Sequence, residues 1–372
     1  MREDWDIRLF KDVFDLQMGK TPDRKNFSLF EGDNTWVSIK DLDGKYISSS
    51  KECISDEAAK NIKLVKRGTV IMSFKLTVGK TAIAGKDLYT NEAIMAFNLR
   101  NGYDIDASFL YYYLKNYRWE GSNKAVMGIT LNKATISKHK IAIPPKATQL
   151  SIVTELDKLN ELIRIKKEQL KDYDTLAQSI FYETFGDPVV NDKKWEVKQL
   201  KDVSTLLNGR AYKQHELLDK GKYKVLRVGN FFTNSTFYYS DLELDDDKYC
   251  EYGDLLFAWS ASFGAFIWNG DKVIYHYHIW KVLFDKECLN IQYYRYLLNT
   301  MTSFFMNDVH GIGMVHLTKS GMEQYDLPIP PLSLQHSFAH KIEQIERQKA
   351  AVQRTIKDLE TLLAVRMQYW FE

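Results

Sequence analysis

The chain contains two copies of one unit, and this internal repeat constrains its fold more than any other feature of the sequence. The copies are offset by 184 to 190 residues, about half of the 372 residues. Two of the matches share a glycine and one shares a proline pair, so chance similarity of apolar segments is a poor explanation. In order, the matches are residues 5–8 with 195–198, 11–13 with 201–203, 19–20 with 209–210, 68–71 with 253–256, 109–114 with 293–298 and 141–145 with 327–331.

Each copy has the same expected order of elements. Short apolar or alternating runs broken by Gly, Asn and Asp, such as residues 70–74 and 255–259, predict strands. A short aromatic helix is expected near residues 106–116 and 290–300. A proline pair then interrupts regular structure, and a long helical segment follows it.

The two long segments carry the same apolar seam. Neither Gly nor Pro occurs between Pro145 and Gly186, or after Pro331. Residues at 4-3 spacing predict a coiled-coil seam in both, interrupted by Lys166 in the first and by Lys349 and Arg366 in the second. The seam consists of Ile152, Leu156, Leu159, Ile163, Leu170, Tyr173, Ala177 and Ile180, and of Phe338, Ile342, Ile345, Val352, Ile356, Leu359 and Leu363.

The two stripes are expected to bury each other, because a long helix with a narrow apolar stripe needs a partner. Antiparallel pairing relates the halves by a pseudo-twofold axis. Apolar residues off the seam, such as Leu162, Ile165 and Leu362, indicate a second face, which packs either on the globular domains or on other subunits. The predicted class is α+β, with two α/β domains in tandem (1–146 and 187–331) separated by two long antiparallel helices (147–186 and 332–372).

Composition and charge set looser limits. Three widely spaced cysteines, Cys53, Cys250 and Cys288, form no metal-binding pattern and favour a reducing cytoplasm. The first residues do not resemble a signal peptide, and no run is long enough to span a membrane. Residues 1–146 hold 24 basic against 18 acidic residues, whereas residues 187–331 hold 16 against 19. Charge therefore favours DNA contact in the first domain only weakly, and not in the second.

Motifs for catalysis are missing. Gly311-Ile312-Gly313 lacks the third glycine of a dinucleotide site, and no phosphate-binding loop or adenine-methyltransferase motif occurs. His276 and His278 alternate along one face, as metal ligands can, but packing or ligand contact explains them better because no third ligand is near. Asp187 with Glu196 and Lys198 is a poor match to a nuclease set. We therefore expect neither a catalytic site nor a metal site.

Each copy opens and closes with its own signature. It opens with a tryptophan followed by Lys-Asp-Val, at residues 5–13 and 195–203. It closes with Ile-Pro-Pro and a glutamine, at residues 143–149 and 329–335, after Gly128-Ile129-Thr130-Leu131 or His316-Leu317. By these signatures, their order and their duplication, the whole chain resembles the specificity subunits of type I restriction-modification enzymes. The second copy departs from the pattern by lacking the Thr21-Pro22 pair and by carrying Gly313-Met314-Val315-His316 in place of the Gly-x-Thr turn.

The resemblance implies a non-catalytic role. Each globular domain would be a target-recognition domain that reads one half of an asymmetric bipartite sequence in double-stranded DNA. The helices would set the spacing of the half-sites and dock two methyltransferase (modification) subunits, with restriction subunits joining the full complex. No cofactor is expected in this chain, because S-adenosylmethionine, ATP and Mg²⁺ would be bound by the partner subunits.

DNA reading needs polar side chains at base edges, and cations or backbone amides at phosphates. Candidates were sought in or beside predicted loops. In the first domain they are Lys20, Ser38, Lys40, Lys80, Lys124, Asn132 and Lys133, and in the second Arg210, Tyr212, Lys213, Arg227, Asn230, His310, His316 and Lys319.

Two other functions stay open from the sequence. One is the specificity subunit of another bipartite restriction system, in which one partner carries both the methyltransferase and the nuclease. The other is a coiled-coil scaffold with two protein-binding domains, which would show no salt-dependent DNA binding.

Overall fold

The computed structural model divides into two compact units, each containing one copy of the repeat. Unit 1 comprises Met1–Lys167 and Arg354–Glu372, and unit 2 comprises Glu168–Gln353. The structure describes residues 5–119, 123–125, 128–233, 235–260, 262–307 and 317–372, of which 123–125 and 128–130 are described by their backbone only. The unit boundaries lie inside the two long helices, so each unit holds a globular body and part of both helices.

The strands of unit 1 are β1 Asp6–Leu9, β2 Phe14–Met18, β3 Asn34–Val37, β4 Tyr46–Ile47, β5 Glu52–Ile54, β6 Val70–Ser73, β7 Thr81–Ala84, β8 Tyr89–Thr90, β9 Ile94–Leu99, β10 Asn123–Ala125, β11 Gly128–Thr130 and β12 Lys140–Ile143. Its helices are α1 Phe10–Val13, α2 Asp56–Ala59, α3 Ala107–Asn116 and α4 Lys133–Lys138, followed by the long helix α5 Lys146–Phe185.

The strands of unit 2 are β13 Glu196–Gln199, β14 Ser204–Asn208, β15 Tyr223–Leu226, β16 Tyr238–Ser240, β17 Tyr249–Cys250, β18 Leu255–Ser260, β19 Ser262–Ile267, β20 Val273–Tyr275, β21 Ile279–Phe284 and β22 Asp326–Ile329. Its helices are α6 Leu200–Val203, α7 Val228–Phe232, α8 Ile291–Thr300, α9 Thr302–Asn307 and α10 Lys319–Met322, followed by the long helix α11 Leu332–Phe371.

The two units share one sheet plan. The larger sheet has the order β2-β9-β6-β7-β4 in unit 1 and β14-β21-β18-β19 in unit 2. The smaller sheet has the order β5-β3-β8 in unit 1 and β16-β15-β20-β17 in unit 2. In each smaller sheet one pair is parallel, β3 with β8 and β15 with β20. The strands predicted near residues 70–74 and 255–259 are confirmed as β6 and β18, and the aromatic helices as α3 and α8.

The opening and closing signatures of each repeat pair with each other. β1 lies antiparallel to β12 with Asp6 opposite Ile143, and β13 lies antiparallel to β22 with Glu196 opposite Ile329. The Lys-Asp-Val segments form α1 and α6, which bury Phe10 and Val13, or Leu200 and Val203, and expose the charged residues. Segments far apart in sequence are therefore one structural element, which explains why they recur together.

The long helices pack against each other within each unit. In unit 1, Ile152 and Leu156 join a core that also packs Leu363, Met367 and Phe371. In unit 2, Phe181 and Phe185 of α5 meet Phe338 of α11 at ring-centroid distances of 5.8 and 5.2 Å. The early part of α5 thus meets the late part of α11 in unit 1, and the reverse holds in unit 2. The predicted antiparallel pairing is confirmed, and every seam residue is buried or half-buried.

The two polar interruptions of the second seam are paired with acidic residues of α5. Lys349 Nζ lies 2.6 Å from Asp174 Oδ1 in unit 2, and only 18% of its side chain is exposed. Arg366 in unit 1 forms an ion pair with Glu155, which also accepts a hydrogen bond from Trp370 Nε1 at 2.9 Å. The Arg366 guanidinium holds the pKa of Glu155 below its usual range. The charges that interrupt the apolar stripe are therefore compensated across the helix pair.

A buried glutamine at the start of each long helix ties it to its globular body. Gln149 Oε1 accepts from the Asp106 amide at 2.8 Å, and its Nε2 donates to the carbonyls of Asp104 and Pro144. Gln335 repeats this arrangement in unit 2 with the Asn290 amide and the carbonyls of Cys288 and Pro330, all at 2.8 Å. Both glutamines are essentially inaccessible to solvent, and each satisfies three backbone groups of its globular body.

We predict that Gln335→Leu lowers the free energy of unfolding of unit 2 by about 2–4 kcal/mol, because one amide and two carbonyls lose the hydrogen bonds that the Gln335 side chain makes to them. Urea unfolding followed by far-UV circular dichroism measures this change. Gln344→Leu, at an exposed position of the same helix, is the matched control and is expected to shift the midpoint little. Equal shifts for the two variants would rule out a special role for the buried glutamine.

Candidate nucleic-acid interface

A close backbone approach follows the second strand of each repeat. Lys20 N donates to Thr90 O at 2.9 Å in unit 1, and Arg210 N donates to Tyr275 O at 3.0 Å in unit 2. The preceding residues, Gly19 and Gly209, have no room for a side chain. A Cβ there would lie 2.1 Å from Thr90 O or 2.4 Å from His276 O. Glycine is therefore required at both positions.

Further main-chain hydrogen bonds join each of these turns to the smaller sheet of its unit. Asn91 N donates to Val37 O at 3.0 Å, and His276 N donates to Leu226 O at 2.9 Å. One residue after β3, Ser38 N donates to Asp41 Oδ2 at 2.8 Å. One residue after β15, Arg227 N donates to Asn230 Oδ1, also at 2.8 Å. We call these places the turn sites: Lys20, Ser38 and residues 90–93 in unit 1, and Arg210, Arg227 and residues 275–278 in unit 2.

The turn site of unit 1 carries small polar and charged side chains. Lys20 is exposed, and its carbonyl accepts from Trp36 Nε1 at 3.1 Å, which joins it to β3. Thr21 donates to Glu92. Ser38 Oγ donates to Asp41 at 2.7 Å, and the neighbouring Lys40 is exposed. Lys20, Ser38 and Lys40 are thus brought to one end of the smaller sheet.

The turn site of unit 2 holds an arginine that is already paired. Arg210 makes two hydrogen bonds to Glu216, at 2.8 and 2.9 Å, and lies over the ring of Tyr212. The Arg210 guanidinium and the Lys213 amide lower the pKa of Glu216 to about 2, so this carboxylate stays charged. Burial raises the pKa of Tyr212. Arg210 therefore anchors the loop 210–216, and Glu216 uses two of the five N–H donors of its guanidinium.

Histidine and aromatic side chains surround the rest of this turn site. Burial lowers the pKa of His276 to about 4, with His278 and Arg227 acting in the same direction, so the ring is neutral at pH 7. Tyr277 is 38% exposed, and its carbonyl accepts from Trp259 Nε1 at 2.9 Å. Arg227 stacks over Tyr238 at 4.2 Å. The His278 amide donates to His276 Nδ1 at 3.4 Å, so the neutral ring has its other nitrogen, an N–H donor, left for contact with base edges.

The remaining candidates for DNA contact lie outside the turn sites or already have hydrogen-bond partners. Lys80 follows the β6–β7 turn and is exposed. Asn132 is the N-cap of α4 and its side chain accepts from Thr135 N, so this oxygen is occupied, while Lys133 beside it is exposed. Asn230 is likewise occupied by backbone contacts with Arg227 and Ser235. Lys213 is exposed, and Lys319 lies 3.7 Å from Glu323. The Lys124 side chain, His310 and His316 lie outside the described residues.

The sequence did not single out three residues in or beside the second turn site. Glu216, Trp259 and Tyr277 were not candidates, although Glu216 decides what Arg210 does. The Tyr-His-Tyr-His run at residues 275–278 was a usable signal for this place, but the expected alternation of the two histidines along one face is wrong. Strand β20 ends at Tyr275, and the rings of the next three residues contact one another at centroid distances of 3.9 to 4.8 Å. No local pattern pointed to Glu216.

Comparisons with known proteins agree with this architecture. The sequence model of the type I restriction modification DNA specificity domain matches residues 2–172 and again residues 192–361. The specificity subunit of the type I restriction enzyme MjaIX of Methanocaldococcus jannaschii is 25% identical over 90% of this chain and 85% of its own length. The MjaVIII specificity subunit of the same organism is 21% identical over 97% and 92%.

Two solved structures share the fold. The S subunit of a type I restriction-modification system from M. genitalium matches with a TM-score of 0.54 at 13% identity, over 99% of this chain and 96% of its own. A chain from a study of assembly and conformational transition of the type I system matches with a TM-score of 0.66 at 16% identity, over 100% and 98%.

Two recognition domains on long paired helices define a DNA-recognition subunit rather than an enzyme. The chain belongs to the type I restriction-modification DNA specificity family, and is a non-catalytic specificity subunit with two target-recognition domains. The resemblance found in the sequence is thereby confirmed. Within the described ranges, no helix is long and apolar enough to cross a membrane. No group of three or more His, Cys, Asp or Glu in those ranges is arranged to hold a metal ion.

We predict that His276 makes unit 2 less stable in acid. The pKa of His276 is about 4 in the folded chain and ordinarily 6.5, so between these values the unfolded chain binds the additional proton. Stability is therefore fully present above pH 6.5 and falls as the pH drops towards 4, by roughly 1–2 kcal/mol given the partial exposure of the ring. Urea titrations between pH 7 and pH 4.5 measure the change, and the free energy of unfolding is expected to fall less with pH in His276→Asn than in the wild type. His340→Asn, at an exposed helix position, serves as control, and an unchanged slope in His276→Asn would refute the assignment.

Proposed function

We propose that each recognition domain reads one half of an asymmetric, bipartite target in double-stranded DNA, and that its turn site supplies base contacts. The observation that carries the proposal is that the two turn sites share one backbone frame but differ in side chains. Lys20 occupies the frame in unit 1 and Arg210 in unit 2. The turns after β8 and β20 continue as Asn91-Glu92-Ala93 and as His276-Tyr277-His278. A fixed frame with different donors and acceptors is what two readers of different sequences need.

The proposal extends to the helices and to the partner subunits. Two methyltransferase subunits would dock on α5 and α11, whose length would set the gap between half-sites. Binding S-adenosylmethionine, ATP and Mg²⁺ would be left to the methyltransferase and restriction subunits, and the assembly would work in the cytoplasm.

Exposed apolar residues at matched positions of the helices support two docking surfaces. Leu176 of α5 and Leu362 of α11 are related by the repeat, and they are 47% and 45% exposed. Leu176 also borders a groove of about 470 Å³ in unit 2, together with Tyr173, Ile180 and Ile345. Large apolar side chains that are exposed at equivalent places in both units favour two copies of one partner.

The base-reading proposal is tested by mapping methylated DNA. The chain is co-expressed with its modification subunit in cells without other adenine methylation, and methylated sites are read by single-molecule sequencing. Wild type is expected to give one bipartite motif. Lys20→Ala is expected to relax or weaken one half of the motif, and Arg210→Ala the other, because a lost base or phosphate contact costs about 1–3 kcal/mol.

Repeat-matched controls make this result specific. Lys11→Ala and Lys201→Ala remove exposed lysines from α1 and α6 and are expected to leave the motif unchanged. Variants that weaken both halves equally would refute the assignment of one half-site to each domain. Absence of any methylation together with absence of DNA binding at low salt would favour the scaffold function instead.

The docking proposal predicts that Leu176→Glu and Leu362→Glu each reduce the complex from two modification subunits to one. A buried, unpaired carboxylate would oppose docking on the altered surface alone. Native mass spectrometry counts the subunits. Thr175→Glu and Thr361→Glu are also related by the repeat and exposed, and they are expected to keep two subunits. Loss of both subunits from either leucine variant, or of none from both, would contradict two separate surfaces.

A further inference from the structure

The second turn site contains an arginine that is held in place but has no acidic partner. Arg227 is half-buried, and among the described residues it forms no ion pair. Its Nε atom is buried and has no hydrogen-bond partner there. Its guanidinium carbon lies 4.2 Å from the centroid of the Tyr238 ring, so an aromatic face orients the guanidinium plane. A positioned guanidinium with donors left over is suited to acceptors that a ligand supplies.

His276 lies beside Arg227 at one edge of the smaller sheet. Strands β15 and β20 are parallel, with Leu226 opposite Tyr275. The next residues, Arg227 and His276, therefore follow at the carboxyl ends of neighbouring strands. Burial is the main cause of the low pKa of His276, and the nearby positive charge of Arg227 also contributes. Because Nδ1 of this neutral ring accepts from the His278 amide, its other nitrogen is a donor. Both side chains thus present N–H groups at this edge.

The side-chain amide nearest to Arg227 in the chain is already occupied. Asn230 Oδ1 accepts from the Arg227 amide, and Asn230 Nδ2 donates to the carbonyl of Ser235, both at 2.8 Å. Asparagine and glutamine amides are the side chains that pair with adenine, and this one is committed to the backbone. Guanine presents two acceptors, O6 and N7, on its major-groove edge, whereas adenine presents one acceptor and one donor. An edge of donors therefore favours guanine.

We propose that Arg227 reads a guanine in the half-site of unit 2, with two guanidinium N–H groups donating to O6 and N7 of the base. The Tyr238 ring holds the guanidinium plane for this contact. The inference rests on the proposed function and adds to it the base that unit 2 requires. In unit 1 the equivalent place after β3 is occupied by Ser38, which has no guanidinium. The requirement for guanine therefore belongs to one half-site only.

Methylation mapping of Arg227→Gln, in the complex with the modification subunit, tests the base assignment. The half-motif of unit 2 is the one that Arg210→Ala relaxes, and in the wild type it is expected to contain a G·C pair. Arg227→Gln is expected to lose the preference for guanine at one position of this half and to admit adenine, because a glutamine amide pairs with adenine. Methylation of the original site is expected to fall about 5- to 150-fold, as for one bidentate base contact. The other half-motif is expected to stay unchanged.

Arg295→Gln is the matched control. Arg295 is also half-buried, its Nε is also buried without a partner, and its guanidinium carbon lies 4.7 Å from the ring centroid of Tyr296. It differs from Arg227 in facing Glu346, whose carboxylate oxygen is 3.5 Å from its Nη2. This variant is expected to leave the motif unchanged. An unchanged motif in Arg227→Gln, or equal weakening on all sequences as for a lost phosphate contact, would overturn the guanine assignment.

A modified base tests the same contact in the wild-type chain, so the result does not depend on the folding of a variant. 7-Deazaguanine lacks the N7 acceptor and replaces each guanine of the unit 2 half-motif in turn. At one position it is expected to weaken DNA binding by the complex about 3- to 10-fold, as for one hydrogen bond. The same base between the half-sites is expected to have no effect. Equal affinities throughout, or a unit 2 half-motif without a G·C pair, would overturn this inference and leave the bipartite-reading proposal intact, whereas absence of any bipartite motif would refute both.

Discussion

The buried glutamine at the start of each long helix is the contact on which the rest of the structure depends. Gln149 and Gln335 each join three backbone groups, from the loop before the aromatic helix and from the proline pair. Proline cannot donate a hydrogen bond, so the chain turns from strand to helix where backbone donors are scarce. The glutamine side chain supplies donors and an acceptor at that point. It thereby fixes the direction in which forty residues of helix leave each globular body.

Rigidity at these junctions explains how polar residues are accommodated elsewhere. With the helix directions fixed, Lys349 and Arg366 can lie within the seam, because Asp174 and Glu155 occupy set positions opposite them. Tyr112 and Lys45 bind Asp157 from the globular body in the same way, with Lys45 Nζ 2.5 Å and Tyr112 Oη 2.5 Å from Asp157 Oδ1. Each unit is therefore held by apolar burial and by directed polar contacts that need a fixed frame.

The sequence alone predicted most of the frame and less of the site. The seam, the aromatic helices and strands β6 and β18 follow from periodicity and from proline pairs, which are local signals. The turn sites depend on contacts between residues distant in the chain, such as His276 with Leu226 and Trp36 with Lys20. The pairing of Arg210 with Glu216 and the capping role of Asn132 were missed, because residue type does not reveal which surface cations and amides already have partners.

The frame at Gly19 and Gly209 separates architecture from recognition. Its hydrogen bonds are made by main-chain atoms, so the side chains at residues 91–93 and 276–278 can be exchanged without disturbing them. If the turn sites read DNA as proposed, a few substitutions at these residues would change the target sequence while the main-chain frame stays the same. The sequence that is read would then evolve separately from the fold that presents the reading residues.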